Sequence, residues 1–111
     1  MSIPVPQHQV PEIDVAQASA RLADGGLMID CREPDEHQAM RVAGAVLVPL
    51  SVFVDEVDGA LGERRETMIL CRSGQRSARA TAYLRERGIE AVNVTGGILA
   101  WFAEGLPVEQ G

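Results

Sequence analysis

The chain contains no lysine: all ten of its basic residues are arginine. That excludes a Schiff-base lysine and the lysine of a phosphate-binding loop. Cysteine is scarce as well, with Cys31 and Cys71 standing far apart. They form no C-x-x-C pair, and only His8 and His37 could join them as soft ligands, so no metal site is expected. Long apolar runs are missing. Residues 42–50 come nearest, but Gly44 and Pro49 interrupt them and they are too short to span a bilayer. The first stretch, before Arg21, has no basic residue and no apolar core of the kind a signal peptide needs. There are no blocks of like charge, no low-complexity tracts and no internal repeat. These absences lead us to expect a soluble cytoplasmic protein with reduced thiols. Positive charge is in the minority, 10 basic residues against 16 acidic for a net charge of -6. A nucleic-acid binder would carry a basic surface, so neither a nucleic acid nor a membrane is expected as partner.

What is present is enough for one core. A chain of 111 residues, 46% apolar, makes one compact domain without metals or disulfides. Residues 1–10, with Pro4 and Pro6, read as an extended N-terminal lead, and 11–111 as a single domain. Asp14 is placed to cap a helix whose inner face is Val15, Ala18, Ser19 and Leu22. Leu27-Met28-Ile29 reads as a buried strand ending at Asp30. A helical turn is expected around Pro34-Asp35-Glu36-His37, then a second apolar run over residues 45–48. Ser51 is expected to cap a helix through Val57, stopped by Asp58-Gly59. Residues 67–70 make a third strand, 77–87 a helix closed by Gly88, 91–94 a fourth strand, and 98–104 a last helix after Gly96-Gly97. Short apolar strands alternating with helices predict an α/β fold, a mostly parallel central sheet with helices on both faces.

Chemistry is concentrated in Cys71-Arg72-Ser73-Gly74-Gln75-Arg76-Ser77. This segment follows a buried strand and opens a helix, so it belongs at the carboxyl end of the sheet, where open α/β sheets bind ligands. Its backbone N–H groups and the positive end of the helix would form an anion cradle. Gly74 supplies the tight curl. A free cysteine is most often a core residue. Here the neighbours are Arg72, Ser73 and Gly74, and a thiol at a helix N-terminus beside arginines is expected to be thiolate-rich. Residues 72–87 hold Arg72, Arg76, Arg79, Arg85 and Arg87 against the single acid Glu86. That local excess of positive charge in an acidic chain suggests a basic pocket selecting a small anion.

The loop, Cys71-Arg72-Ser73-Gly74-Gln75-Arg76, resembles the C-R-x-G-x-R active loop of the rhodanese sulfurtransferases. Two further motifs are similar. Asp30-Cys31-Arg32, Glu36-His37 and the segment from Met40 through Gly44-Ala45 to Pro49 match the family's D-x-R, E-[FY] and G-H-I-x-G-A-x-x-[IL]-P pattern. Gly96-Gly97-Ile98-Leu99-Ala100-Trp101 matches its closing G-G-x-x-x-W. The likeness covers about residues 11–108. It departs where Met40-Arg41 replaces the family's glycine and histidine, and where His37 replaces an aromatic. Phosphatases of the same fold use C-x5-R, a loop one residue longer that holds a tetrahedral phosphate. The shorter loop here favours sulfur transfer over phosphate hydrolysis or arsenate reduction.

The resemblance implies a ping-pong reaction through a Cys71 persulfide. Thiosulfate or another persulfide donor would supply the sulfane sulfur, and cyanide, a thiol or a protein would accept it. Arg72 and Arg76 would hold the donor's sulfonate, with Ser73, Gly74, Gln75 and Ser77 completing the cradle. No metal or organic cofactor is implied. Asp30 and Arg32 are expected to support the site structurally, with Glu36 as a candidate partner for Arg32. Trp101 is expected to pack the last helix against the sheet near the active loop. His37 is expected to be solvated, and Cys31 to continue its strand as a small core residue rather than a resolving thiol. The other class of function open to the chain is a rhodanese-like binding or regulatory module, or a sulfur carrier for a partner protein. Inactive modules typically lack the loop cysteine, which this chain keeps.

Overall fold

The structure is a computed structural model and describes Ile3 and residues 9–111. The expected N-terminal lead falls largely outside the described residues. Where description resumes, the Pro11 carbonyl accepts the Asn93 N–H (2.9 Å), and β1 (Glu12–Ile13) follows as an edge strand the sequence reading had not placed. Asp14 then caps α1 (Val15–Ala23): its carboxylate accepts the Gln17 N–H (2.8 Å) while the Gln17 side chain accepts the Asp14 N–H (3.1 Å).

Four more strands complete the main sheet: β2 (Met28–Asp30), β4 (Val46–Leu47), β5 (Glu66–Leu70) and β6 (Glu90–Val94). Their order is β1-β6-β5-β2-β4 and every pairing is parallel. Helix α2 (Pro34–Ala39) leads directly into β3 (Met40–Arg41), which pairs antiparallel with β7 (Glu109–Gln110) in a separate two-stranded ribbon. These two-residue strands carry too little periodicity to be read from sequence.

Side chains alternate across the sheet, as strand geometry requires. Met28, Met68, Leu70 and Val94 point to one face and pack with Val15 and Ala18 of α1 and with Ile98 and Trp101 of α5 (Gly97–Ala103). Ile29, Ile69 and Ala91 point to the other, against Phe53, Val57 and Leu61 of α3 (Phe53–Leu61) and Ala80 and Leu84 of α4 (Gln75–Glu86). The sheet is thus covered on both sides, as the apolar strands predict.

The expectation for α3 needs correcting. Ser51 does not cap it but lies in a 3-10 turn (Leu50–Val52), and its hydroxyl donates to Glu33 (2.8 Å). The helix also continues past Asp58-Gly59 to Leu61 and stops at Gly62, whose φ is +57°. Burial of Leu61 beside Val57 carries the helix one turn beyond a local stop signal, because tertiary packing outweighs the cost of about 1 kcal/mol for one internal glycine. Among the described residues no helix is long and apolar enough to cross a membrane.

Candidate active site

Cys71 stands immediately after β5, and Gly74 turns the chain into α4 with φ +103°. This left-handed turn folds the loop back over the cysteine. The Gly74 N–H donates to Cys71 Sγ (3.0 Å), and Ser77 Oγ lies 3.2 Å from the same sulfur. The loop backbone is clamped from α5: the Ile98 N–H donates to the Cys71 carbonyl (2.9 Å) and the Leu99 N–H to that of Arg72 (3.2 Å). Such an approach demands glycine at 97, where a Cβ would fall 2.4 Å from the Cys71 carbonyl oxygen.

The thiol lies at the floor of the loop, with Cys71 only 1% exposed, rather than at its mouth. Burial alone would push its ionisation up. It is instead held down to about 4, with the neighbouring Cys31 thiol the largest influence and the Ser77 hydroxyl and the Ser77 and Gly74 amides adding to it. Cys71 is therefore a thiolate at neutral pH, as the helix N-terminal setting predicts.

The remaining loop residues divide by exposure. Arg72, Ser73 and Gln75 are exposed, Gly74 and Arg76 partly buried, and Ser77 buried. Ser77 faces the sulfur rather than solvent. Its hydroxyl also contacts the Asn93 carboxamide oxygen, and Asn93 Nδ2 donates to the Gly74 carbonyl (3.0 Å). One hydroxyl proton serves one acceptor at a time, so Ser77 either turns to Asn93 or to the thiolate. Asn93 is a site residue the sequence reading missed. A buried asparagine inside the apolar run Ala91-Val92-Asn93-Val94 was the available signal, since a polar side chain in a core strand needs a partner.

The basic pocket expected from five arginines is not assembled. Arg85 turns away to the Ala91 carbonyl (2.8 Å), Arg87 pairs with Asp58 (2.8 Å), and Arg79 donates to the Ile3 carbonyl. A helix spreads successive residues around its axis, so sequence proximity is not spatial convergence. Arg76 does stay at the loop, but its guanidinium forms a two-pronged pair with Glu36 (2.7 and 2.8 Å). This holds the Glu36 carboxyl down to about 2 and raises the Arg76 guanidinium further.

Glu36 is thus not the side-chain partner of Arg32. That partner is Asp30, met by Arg32 Nε and Nη2 (2.8 Å at the closest) in a buried pair. The same guanidinium donates to the Glu36 (3.3 Å) and Met40 (2.7 Å) carbonyls, tying α2 to the end of β2. Trp101 packs α5 onto the sheet, but in the layer with α1, whereas Cys71 belongs to the layer with α3 and α4. Its indole N–H donates to the Pro107 carbonyl (2.8 Å). Among the described residues no cluster of histidine, cysteine and carboxylate side chains is arranged to hold a metal.

A buried thiolate cradled by loop amides at the carboxyl end of a parallel sheet is a nucleophile without need of a general base. Comparison with known proteins gives the arrangement its kinship. The family profile described as rhodanese-like domain matches residues 14–104. A sulfurtransferase of Allochromatium vinosum is 38% identical over 102 residues, covering 89% of this chain and 94% of its own. Thiosulfate sulfurtransferase 18 of Arabidopsis thaliana is 30% identical, covering 90% of this chain and 84% of its own. Among solved structures, a rhodanese-related protein from Thermoplasma volcanium superposes with a TM-score of 0.81 at 29% identity, covering 89% of this chain and 97% of that one. With the profile spanning most of its length and relatives named as sulfurtransferases, the chain belongs to the rhodanese-like domain family.

Proposed function

We propose that this protein is a sulfurtransferase that carries sulfane sulfur as a Cys71 persulfide, taken from thiosulfate or another persulfide donor and delivered to cyanide or a thiol. The carrying observation is the Cys71 sulfur, buried yet held as a thiolate by Cys31 first, then by Ser77 and the Gly74 N–H. The domain that does this comprises residues 11–111.

In the first half-reaction the Cys71 thiolate attacks the outer sulfur of thiosulfate. A new S–S bond forms, the S–S bond of thiosulfate breaks, and its electron pair leaves with sulfite. The terminal sulfur of the persulfide then carries the negative charge, for which the loop amides and the N-terminus of α4 provide donors. Arg72, exposed on the loop, meets the donor's sulfonate first. Arg76, already paired with Glu36, steadies the loop and contributes a partly offset positive charge. In the second half-reaction cyanide or a thiolate takes the terminal sulfur and Cys71 returns as the thiolate. Every proton and electron is accounted for without metal or organic cofactor.

The test is intact mass after incubation with thiosulfate, for the wild type and Cys71→Ser. The expected result is a gain of about 32 Da, erased by cyanide and missing in the variant. A folded, reduced wild type that gains no sulfur from thiosulfate or from any persulfide donor would overturn the reading.

A further inference from the structure

Cys31 and Cys71 lie side by side although the sequence separates them widely. Strands β2 and β5 pair in parallel with Met28 opposite Met68, Ile29 opposite Ile69 and Asp30 opposite Leu70. The ladder continues one step further, since the Cys31 N–H donates to the Leu70 carbonyl (2.9 Å), which sets Cys31 opposite Cys71. Alternation then puts both side chains on the face already holding Ile29 and Ile69, in one buried cluster. Both cysteines are free.

Adjacent strands run about 4.8 Å apart, and disulfides span Cα separations of roughly 4.4 to 6.8 Å. Bridging the pair therefore asks for little backbone movement. Gly74 and Ser77 meet the Cys71 sulfur from the loop and α4, whereas Cys31 meets it from β2. A sulfur added to Cys71 that rests on the loop amides leaves the β2 side of Cys71 Sγ for Cys31. Displacement at sulfur runs with nucleophile and leaving group on opposite sides of the attacked atom.

We propose that Cys31 is a resolving thiol that gives this protein a second activity, release of sulfide from the loaded persulfide with an external dithiol as the reductant. The step rests on the Cys71 persulfide reading above. The Cys31 sulfur attacks Cys71 Sγ; a Cys31–Cys71 bond forms, the bond from Cys71 to the terminal sulfur breaks, and that sulfur departs with its electron pair. The Cys31 thiol proton goes with it, so a thiol and a persulfide anion become a disulfide and one hydrosulfide ion. An external dithiol reduces the disulfide by exchange and restores both cysteines. Over the cycle, thiosulfate and a dithiol yield sulfite, sulfide and the oxidised dithiol. Its hydrogen bond to the Cys71 sulfur, with burial second, keeps Cys31 protonated in the resting protein, so it supports the Cys71 thiolate instead of competing with it.

The experiment follows sulfite, sulfide and intact mass after thiosulfate is added to reduced wild type, Cys31→Ser and Cys31→Ala without external thiol. Each variant's fold is checked by circular dichroism, and the two differ in whether a hydrogen-bonding group remains beside Cys71. For wild type we expect one equivalent of sulfite, then one of sulfide. The chain should end lighter than its reduced form by two hydrogens, with no cysteine open to alkylation after an acid quench. The folded Cys31 variants should end instead at the gain of about 32 Da, with sulfite and no sulfide. Dithiothreitol added after the sulfide burst should reduce the wild-type disulfide and return the chain to its starting mass. Wild type that keeps the added sulfur and releases no sulfide overturns the role of Cys31, as does equal release by the variants. No sulfite from wild type, with thiosulfate or any persulfide donor, overturns the transfer reading itself and this one with it.

Discussion

Glu36 is gripped at both ends: its carboxylate takes two hydrogen bonds from Arg76, 2.7 and 2.8 Å long, while its carbonyl accepts one from Arg32 (3.3 Å). Arg32 is in turn anchored in the buried Asp30 carboxylate. A single short helix, α2, therefore links the end of β2 to the first turn of α4. The charge that would meet an anionic donor is part of that link.

Arg76 and Glu36 should respond asymmetrically. Arg76→Ala leaves an unpaired carboxylate at the loop, which repels a divalent anion, and KM for thiosulfate should rise about tenfold, equivalent to about 1.4 kcal/mol. Glu36→Gln frees the guanidinium and should lower KM. Steady-state kinetics at low ionic strength reads both, and a fall in KM for Arg76→Ala would remove the electrostatic argument.

The Cys71 thiolate should persist well into acid. Its alkylation rate by iodoacetamide, followed against pH, should fall with a midpoint near 4 rather than near that of a free thiol. Ser77→Ala removes one hydrogen-bond donor to a charged sulfur, so the midpoint should move up by about one to two units. The sign is fixed: losing a donor to the anion destabilises the anion. A midpoint unmoved in Ser77→Ala would mean that the hydroxyl stays turned to Asn93.

Breaking the Asp30–Arg32 pair should cost more than breaking any surface pair. Arg32 is 3% exposed and Asp30 0%, so Arg32→Ala strands a carboxylate in the interior. We expect a loss of about 3–5 kcal/mol by urea denaturation. Replacing both residues by apolar ones of similar volume should recover part of it, which would separate the cost of an orphan charge from the worth of the pair.

Gly97→Ala tests the clamp between α5 and the loop. The added Cβ would meet the carbonyls of Cys71 (2.4 Å) and Arg72 (2.5 Å), at a φ of +58° that L side chains avoid. Stability should drop by about 2–4 kcal/mol, with activity falling as the loop shifts. Gly62→Ala, at a similar φ of +57° but with open space around it, should lose only the backbone part.

Much of the molecule was legible residue by residue. The cap at Asp14, the punctuation at Gly74 and Gly88, and the apolar runs of the strands all act over a few neighbours, so the alternation of strand and helix followed from them. Cys71 at the end of a strand and start of a helix was legible for the same reason. Where the reading failed, a longer-range term had won. The last turn of α3 exists because Leu61 reaches the core, and Arg85 left the supposed basic pocket because its helix carried it around the axis.

The α/β class, the loop from Cys71 to Ser77 and the family likeness can all be read from the residues alone, since each is written in local pattern and spacing. That Glu36 belongs to Arg76, that Asn93 holds Ser77 and that Cys31 stands beside Cys71 follows from the folded arrangement of the chain. Those relations join residues 16 to 40 positions apart. They depend on strand register and on which face each crossover helix covers, and both are set by burial of the whole core, not by any one segment.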